Sequence, residues 1–174
     1  MTPLLIVPGW QDSGPAHWQS LWQAELGGTR IRVASWELPE REDWVRAIET
    51  AVAACPAPPV LAGHSVGCIA IAHWAARSAR PVKGAFLAAP ADVDREGCPE
   101  PLRNFAPIPR TPLPFPALVV AAKDDPYAAF DRNEALARAW GARFHAVERG
   151  GHLNATSGFG PWPEGRALLQ ELMR

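Results

Sequence analysis

A pentapeptide in the middle of the chain has the residue types and spacing of a serine nucleophile. Residues Gly63 to Gly67 read G-H-S-V-G, a G-x-S-x-G pattern with Ser65 at its centre. The pattern is informative between a strand and a helix, and here an apolar run, 60–62, precedes it and a charge-free segment, 66–76, follows it. A tight turn at such a junction exposes the serine hydroxyl, and the glycines let neighbouring backbone come close. We therefore predict that Ser65 is a nucleophile at the carboxyl edge of a sheet.

A serine hydroxyl needs a base beside it, and in this type of fold an acid and then a histidine follow the serine along the chain. Two carboxylates, Asp124 and Asp125, come directly after the apolar run 117–122. Asp125 is favoured because Pro126 forces its backbone into an extended or turn conformation, which suits a carboxylate that leaves a loop. Asp124 stays open as the alternative acid, or as a solvated loop charge or a helix cap.

His152 is the histidine best placed to act as the base. It follows the last predicted strand in a loop that begins with Gly150 and Gly151, whose flexibility brings the imidazole to the sheet edge. The four other histidines lie in places that suit structural roles: His64 beside the serine, His17 and His73 in predicted helices, and His145 inside a predicted strand. The prediction is therefore that Ser65 attacks, His152 accepts its proton, and Asp125 orients the imidazole.

Two backbone amides are candidates to stabilise an oxyanion. The N–H of Val66 lies at the start of the helix that follows the serine, where backbone donors face a developing negative charge. A second donor is expected from the loop after the first strand, and the N–H of Trp10 is the candidate, with Gln11 as the less favoured alternative. The Trp10 side chain is expected either to line an acyl pocket or to belong to the core.

The elements that must position these residues alternate between strand and helix along almost the whole chain. The strands are continuous apolar runs, which indicates a parallel sheet covered on both faces and an α/β architecture. The predicted strands are 4–7, 31–36, 58–63, 82–89, 116–122 and 143–147. One predicted helix begins at Pro15, and four others cover 43–54, 66–76, 133–140 and 164–173. We predict a single domain over residues 1–174.

Residues 90–116 interrupt this alternation and hold 8 of the 19 prolines. A stretch of this length without a regular period is typical of a functional loop, a lid or a disordered excursion. We expect a loop over the sheet edge, and the sequence leaves open whether it is a mobile lid. Residues 109–112 form a P-x-x-P segment that could serve a protein partner.

Composition limits the classes of function. The 17 basic and 18 acidic residues give a net charge of −1, which argues against a nucleic-acid or polybasic membrane-surface protein and suits a small uncharged ester. The three cysteines lack metal-ligand spacing, so neither a disulfide framework nor a metal site is expected. The sequence shows neither a signal-peptide pattern nor a membrane-length apolar run, so we expect a cytoplasmic protein.

Four segments together resemble small serine hydrolases related to retinoblastoma-binding protein nine and the YdeN-like proteins. They are 8–22 (PGWQDSGPAHWQSLW), 63–67 (GHSVG), 125–127 (DPY) and 151–165 (GHLNATSGFGPWPEG). The resemblance spans residues 4 to 165, and the first and last motifs are far more specific than a pentapeptide. It implies an α/β-hydrolase-type three-layer sandwich with a mostly parallel sheet and a minimal or absent cap. It also implies that Asp125 is the acid and that no cofactor is used.

The resulting hypothesis is a serine hydrolase that cleaves small carboxylic esters through an acyl-enzyme intermediate. Amide or thioester hydrolysis stays open, because the same residues act on all three acyl groups. A protein-interaction module on a hydrolase scaffold is the alternative from another class, since fold does not fix function.

Overall fold

The computed structural model describes all 174 residues. Its centre is one six-stranded sheet in the order β2-β1-β3-β4-β5-β6, with every neighbouring pair parallel. The strands are β1 (Leu4–Val7), β2 (Thr29–Arg30), β3 (Val60–His64), β4 (Gly84–Ala88), β5 (Ala117–Ala122) and β6 (Arg143–Val147). The helices are α1 (Trp18–Leu26), α2 (Arg41–Ala53), α3 (Val66–Ala75), α4 (Phe130–Ala139) and α5 (Pro163–Met173). The predicted α/β fold class is confirmed.

The strands supply side chains to two separate cores, one on each face of the sheet. Leu4 and Ile6 of β1 belong to the cluster that packs on α1 and α5, whereas Leu5 and Val7 belong to the cluster that packs on α2, α3 and α4. Because successive strand residues point to opposite faces, a continuous apolar run is what a doubly covered strand requires. The two cores therefore explain the composition of the strands.

Helix α3 is the most deeply placed helix. All ten of its residues are buried, and it contacts α2 on one side and the 3-10 helix Glu100–Phe105 on another. The absence of charge from this segment is consistent with that position, because a helix covered on every face has no side to present to water. Its N-terminus at Val66 is consequently held rigidly at the sheet edge.

Two predicted elements differ from the structure. The second strand was expected at 31–36 but covers only Thr29 and Arg30, because after Ile31 N donates to Ile6 O the chain turns away from the sheet. The first helix was expected to begin at Pro15 but begins at Trp18, where the His17 side chain caps it by accepting from Gln19 N. Residues 15–17 instead form a turn.

The proline-rich segment 90–116 is folded against the helices. Its first part, 91–102, borders the pocket near Ser65, and Phe105 O accepts a hydrogen bond of 2.6 Å from His73 Nε2. Near its far end, Trp140 holds the chain at both ends of the P-x-x-P segment: Trp140 Nε1 donates to Pro109 O, and the N–H of Leu113, the residue after the segment, donates to Trp140 O.

None of the helices combines the length and apolar character that a membrane crossing would need.

Candidate active site

Ser65 lies on a strained turn between β3 and α3. Its φ of 55° and ψ of −125° place a non-glycine residue at positive φ, a conformation that persists only where surrounding contacts impose it. Those contacts are visible at the two glycines of the pentapeptide. A Cβ added to Gly67 would lie 2.3 Å from Pro8 O, and one added to Gly63 would lie 2.8 Å from Ile71 Cδ1. The turn therefore requires glycine for close packing.

The structure brings Ser65, His152 and Asp125 together. His152 Nε2 lies 2.8 Å from Ser65 Oγ, and His152 Nδ1 lies 2.9 Å from Asp125 Oδ2 and 3.1 Å from Oδ1. Because a carboxylate only accepts, Nδ1 donates to Asp125, and Nε2 of the neutral ring is left to accept from the serine hydroxyl. The Asp125 side chain is fully buried and the His152 side chain is 10% exposed, while Ser65 as a whole residue is 9% exposed. In this arrangement His152 Nε2 can take the proton of the Ser65 hydroxyl as Oγ attacks a bound substrate.

The two neighbouring aspartates occupy different places. Asp125 Oδ1 also accepts from Tyr127 N at 2.8 Å, which fixes its carboxylate in a local turn. Asp124 Oδ1 accepts from Gly150 N at 2.8 Å and Gly151 N at 2.9 Å, and these two hydrogen bonds hold the pKa of Asp124 below its usual range. Asp124 therefore binds the backbone of the histidine loop, whereas Asp125 contacts the imidazole itself.

His64 contacts the same loop from the other side. Its Nε2 donates to His152 O at 2.8 Å, so its Nδ1 is the unprotonated nitrogen. Burial is the main reason that the pKa of His64 lies well below its usual range. Sequence reasoning assigned His64 no contact with His152, because the two residues are 88 positions apart and only the fold brings them together.

His17 continues this group of imidazoles towards helix α1. Its Nδ1 accepts from Gln19 N at 3.1 Å, and its ring lies 4.7 Å from the His64 ring between centroids. Burial, followed by the charge of Arg30, lowers the pKa of His17 to about 4, which keeps the ring neutral at pH 7. His17 thus lies at a helix cap beside the candidate site instead of inside a helix.

Gln19 is a further buried residue that sequence reasoning missed. It is completely buried, and its Nε2 donates to Val7 O at 3.1 Å and Ala62 O at 2.9 Å. These carbonyls belong to β1 and β3, close to the turns that carry Trp10 and Ser65. Gln19 lies inside the first of the four family-like motifs, but a glutamine in an amphipathic helix gives no chemical signal of its own.

The two candidate oxyanion donors lie on turns that touch each other. Val66 is the first residue of α3, so its N–H has no partner within the helix. Trp10 follows Gly9, where an added Cβ would lie 2.9 Å from Ser65 Cβ, and the Trp10 N–H donates to no backbone carbonyl. Gln11 N donates to Trp36 O at 3.0 Å, so the alternative donor is already engaged.

A cavity of about 280 Å³ opens over Ser65 and His152. The indole of Trp10 forms part of its wall and donates from Nε1 to Glu37 O at 2.9 Å, while the same ring packs against the edge of the core. Tyr127 stands at the histidine, with 4.8 Å between ring centroids. Residues 91–102 supply the opposite wall. The cavity therefore lies between the β1 turn and the proline-rich segment.

The cysteines and carboxylates form no metal centre. No group of three or more His, Cys, Asp or Glu side chains is arranged to ligate an ion. The three cysteines are free, and burial raises the pKa of Cys68 well above its usual range.

Comparisons with known proteins found one family model and several similar solved structures. A family model described as serine hydrolase matches residues 4–171. A protein described as a YdeN-like hydrolase, from Pectobacterium atrosepticum, is 34% identical with a TM-score of 0.88, over 99% of this chain and 90% of that one. The ydeN gene product of Bacillus subtilis is 21% identical with a TM-score of 0.81, over 99% of both chains.

More distant solved structures share the fold. A thermophilic esterase from Thermogutta terrifontis, solved with malate bound, is 17% identical with a TM-score of 0.72, over 99% of this chain and 90% of that one. No curated protein matches the chain by sequence. The likeness at 17% identity extends to the fold alone.

Proposed function

The chain belongs to the serine hydrolase family, and on that premise we propose that it hydrolyses small carboxylic esters with Ser65 as nucleophile, His152 as general base and acid, and Asp125 as the group that orients the imidazole. The observation that carries the proposal is the unbroken hydrogen-bonded sequence from Ser65 Oγ to His152 Nε2 and from His152 Nδ1 to Asp125, at 2.8 and 2.9 Å. Nucleophile, base and orienting acid within such distances are the requirement for covalent acyl transfer.

In the first half of the reaction, Ser65 Oγ attacks the ester carbonyl carbon and its proton passes to His152 Nε2. The carbonyl oxygen gains the negative charge, and the N–H groups of Val66 and Trp10 donate to it. When the tetrahedral intermediate collapses, the bond to the alcohol oxygen breaks and His152 gives its proton to the departing alkoxide. The alcohol leaves, and the acyl group remains bonded to Ser65.

In the second half, a water molecule gives a proton to His152 and attacks the acyl carbon. Collapse of the second intermediate releases the carboxylic acid, and Ser65 Oγ regains its proton from His152. The buried carboxylate of Asp125 stabilises the imidazolium that forms in both halves. Asp124 and His64 act as positioning residues, because they bind the backbone of the histidine loop and do not touch the reacting atoms.

Esters are preferred to amides in this proposal because of the leaving group. The alkoxide of an ester departs with less help from a general acid than an amine does. The two acidic residues that line the cavity, Asp12 and Asp92, are each bound to an arginine. Thioesters remain substrates to be compared in the same assay.

Labelling with a fluorophosphonate probe, followed by peptide mapping, tests the nucleophile without a guess about the substrate. The wild-type protein is expected to carry the label on Ser65 and to turn over short 4-nitrophenyl esters. Ser65→Ala is expected to lose the label and about 10⁴- to 10⁶-fold of kcat/KM. Ser35→Ala is the matched control: Ser35 is partly exposed and does not line the cavity, so this variant should retain both the label and the activity.

Two results would overturn the proposal. One is a wild-type protein that is neither labelled nor active on any ester, and the other is a Ser65→Ala variant that keeps its activity. A partner whose binding survives Ser65→Ala, together with inactivity on all esters, would favour the interaction-module alternative instead.

A further inference from the structure

The charged residues that line the cavity differ in whether their charge is already neutralised. Asp12 is bound by Arg30 Nη1 at 2.5 Å, and Asp92 is held by Arg132 through two parallel hydrogen bonds, from Nε at 2.8 Å and Nη2 at 2.9 Å. Both arginines lie behind the wall and do not line the cavity. Each aspartate therefore presents a paired carboxylate, which weakens its effect on a bound molecule.

Arg95 is the exception among these charges. Its guanidinium makes no ion pair or hydrogen bond, although the residue lines the cavity and is half-buried. The acidic neighbours along the chain do not bind it: the Asp94 carboxylate accepts from Ile108 N at 3.1 and 3.3 Å, and Glu96 is exposed without an ion pair. A half-buried arginine whose guanidinium leaves all five of its donors without a protein partner is an unusual feature in the wall of a small cavity.

Cys98 is a neighbour of Arg95 in the wall of this cavity. Burial raises the pKa of the Cys98 thiol, and the positive charge of Arg95 acts on that pKa in the opposite direction, which requires the two groups to be near each other. Cys98 lines the same cavity and is itself buried.

The surface that accompanies Arg95 in the cavity wall is apolar. Ala91, Val93, Cys98 and Leu102 are buried residues of the same segment, and all four border the cavity. An apolar wall that also carries one free guanidinium matches a molecule with a short aliphatic chain and an anionic end. Arg binds carboxylates with two parallel hydrogen bonds, a geometry that also fixes the orientation of the molecule.

We propose that the natural substrates are esters that carry a carboxylate group, and that Arg95 binds this carboxylate while Ser65 reacts at the ester carbonyl. The inference rests on the proposed ester hydrolysis and adds the substrate class to it. It also changes one expectation from composition, since the net charge of −1 favoured an uncharged ester. Net charge describes the whole surface, whereas the cavity contains a single unpaired cation.

The test compares esters that differ only in this charge. For a carboxylate on the acyl side, mono-4-nitrophenyl adipate is compared with 4-nitrophenyl methyl adipate, in which the carboxylate is masked. For a carboxylate on the alcohol side, 4-acetoxybutanoate is compared with its methyl ester by acetate release, because the saturated chain keeps the reactivity of the acetyl ester nearly the same in both. The wild-type protein is expected to show about a tenfold higher kcat/KM for the charged member of one pair, as expected for one charge-assisted contact. The pair that responds identifies the side of the ester that faces Arg95.

Arg95→Gln is expected to abolish this preference and to change kcat/KM for the masked esters less than twofold, so the masked esters also report correct folding. Arg95→Lys keeps the charge without the planar fork and should restore part of the preference. Arg110→Gln is the matched control, since Arg110 is an exposed, unpaired arginine of the same segment that does not line the cavity. Raising the salt concentration should reduce the wild-type preference and leave Arg95→Gln unaffected.

The outcomes separate this inference from the proposed function. If wild type cleaves masked and charged esters equally, or if Arg95→Gln retains the preference for the charged ester, the role of Arg95 is wrong while ester hydrolysis stands. If no ester of either pair is cleaved and Ser65 takes no fluorophosphonate label, the proposed function itself fails. A preference that Arg110→Gln abolishes as well would assign it to the general field of the protein, against Arg95.

Discussion

Ser65 is fixed by backbone packing, whereas Asp125 and His152 lie on loops that hydrogen bonds hold in place. On the serine side, the backbone of β1 lies so close to Gly67 that an added Cβ would be 2.3 Å from Pro8 O. On the histidine side, the loop is held by Asp124 through two backbone N–H groups and by His64 through the His152 carbonyl. One region is thus shaped by repulsion between atoms in contact, and the other by polar attraction.

The difference determines how each region responds to change. Close-packed backbone has little freedom to adjust, so a single added methyl group must displace an element. A hydrogen-bonded loop can shift by fractions of an ångström when one partner is lost, and its partners can be titrated. We expect substitutions beside Ser65 to lower the free energy of unfolding, and substitutions beside the His152 loop to lower kcat by displacing the imidazole.

Gly67→Ala is expected to have the largest effect. Its methyl group would meet both Pro8 O and Val7 O, at 2.3 and 2.4 Å, so either the β1 turn or α3 must move. The free energy of unfolding, measured with urea, should fall by about 3 kcal/mol or more, and ester turnover should fall with it. Gly14→Ala is the control, because a Cβ at Gly14 meets nothing within 4 Å. Equal urea midpoints for Gly67→Ala and wild type would show that packing does not fix the serine side.

Asp124→Ala is expected to have a smaller effect of a different kind. The variant removes the acceptor for Gly150 N and Gly151 N, so the histidine loop loses its anchor while Ser65 stays in place. We expect kcat for a short 4-nitrophenyl ester to fall about 10- to 100-fold with little change in the urea midpoint, because a small misplacement of a catalytic group costs rate. Asp131→Ala, at an exposed acid in the first turn of α4, should keep wild-type kcat. A large loss of stability with unchanged kcat per folded molecule would contradict this assignment.

The contrast between packing and hydrogen bonding also explains what the sequence could predict. Ser65, Asp125 and His152 were identified because each follows a predicted strand in a recognisable local pattern, and the parallel sheet fold followed from continuous apolar runs. Labelling of Ser65 and ester turnover by its alanine variant test the role proposed for the nucleophile.

The supporting residues were beyond sequence reasoning for a physical reason. The contacts of Asp124, His64 and Gln19 join parts of the chain that are 26, 88 and 43 residues apart, and no local spacing encodes such pairs. The start of the first helix was misplaced because proline is common at helix starts, which favoured Pro15, whereas the actual N-cap is the imidazole of His17. The free charge of Arg95 depends on which acids find other partners, which is a property of the folded chain.

His17→Asn tests the hydrogen-bonded region around the His152 loop through the pH dependence of the free energy of unfolding. The pKa of buried His17 lies at about 4, below its ordinary value of 6.5, so between these values the unfolded chain binds more protons than the folded chain. Stability therefore rises with pH across that window, and the wild-type protein loses stability as pH falls from 7.5 towards 5.5. Asparagine is a good helix cap that does not titrate, so the variant keeps the hydrogen bond to Gln19 N and loses the proton site.

The difference in unfolding free energy between pH 7.5 and 5.5, measured with urea, should be smaller by about 1 kcal/mol in His17→Asn than in wild type. His64, whose pKa is also lowered by burial, should leave part of the dependence in the variant. If the two proteins lose the same stability on acidification, the proton-sensitive group lies elsewhere. If the variant loses less, protonation of His17, beside the start of α1, is one of the steps by which acid destabilises the folded protein.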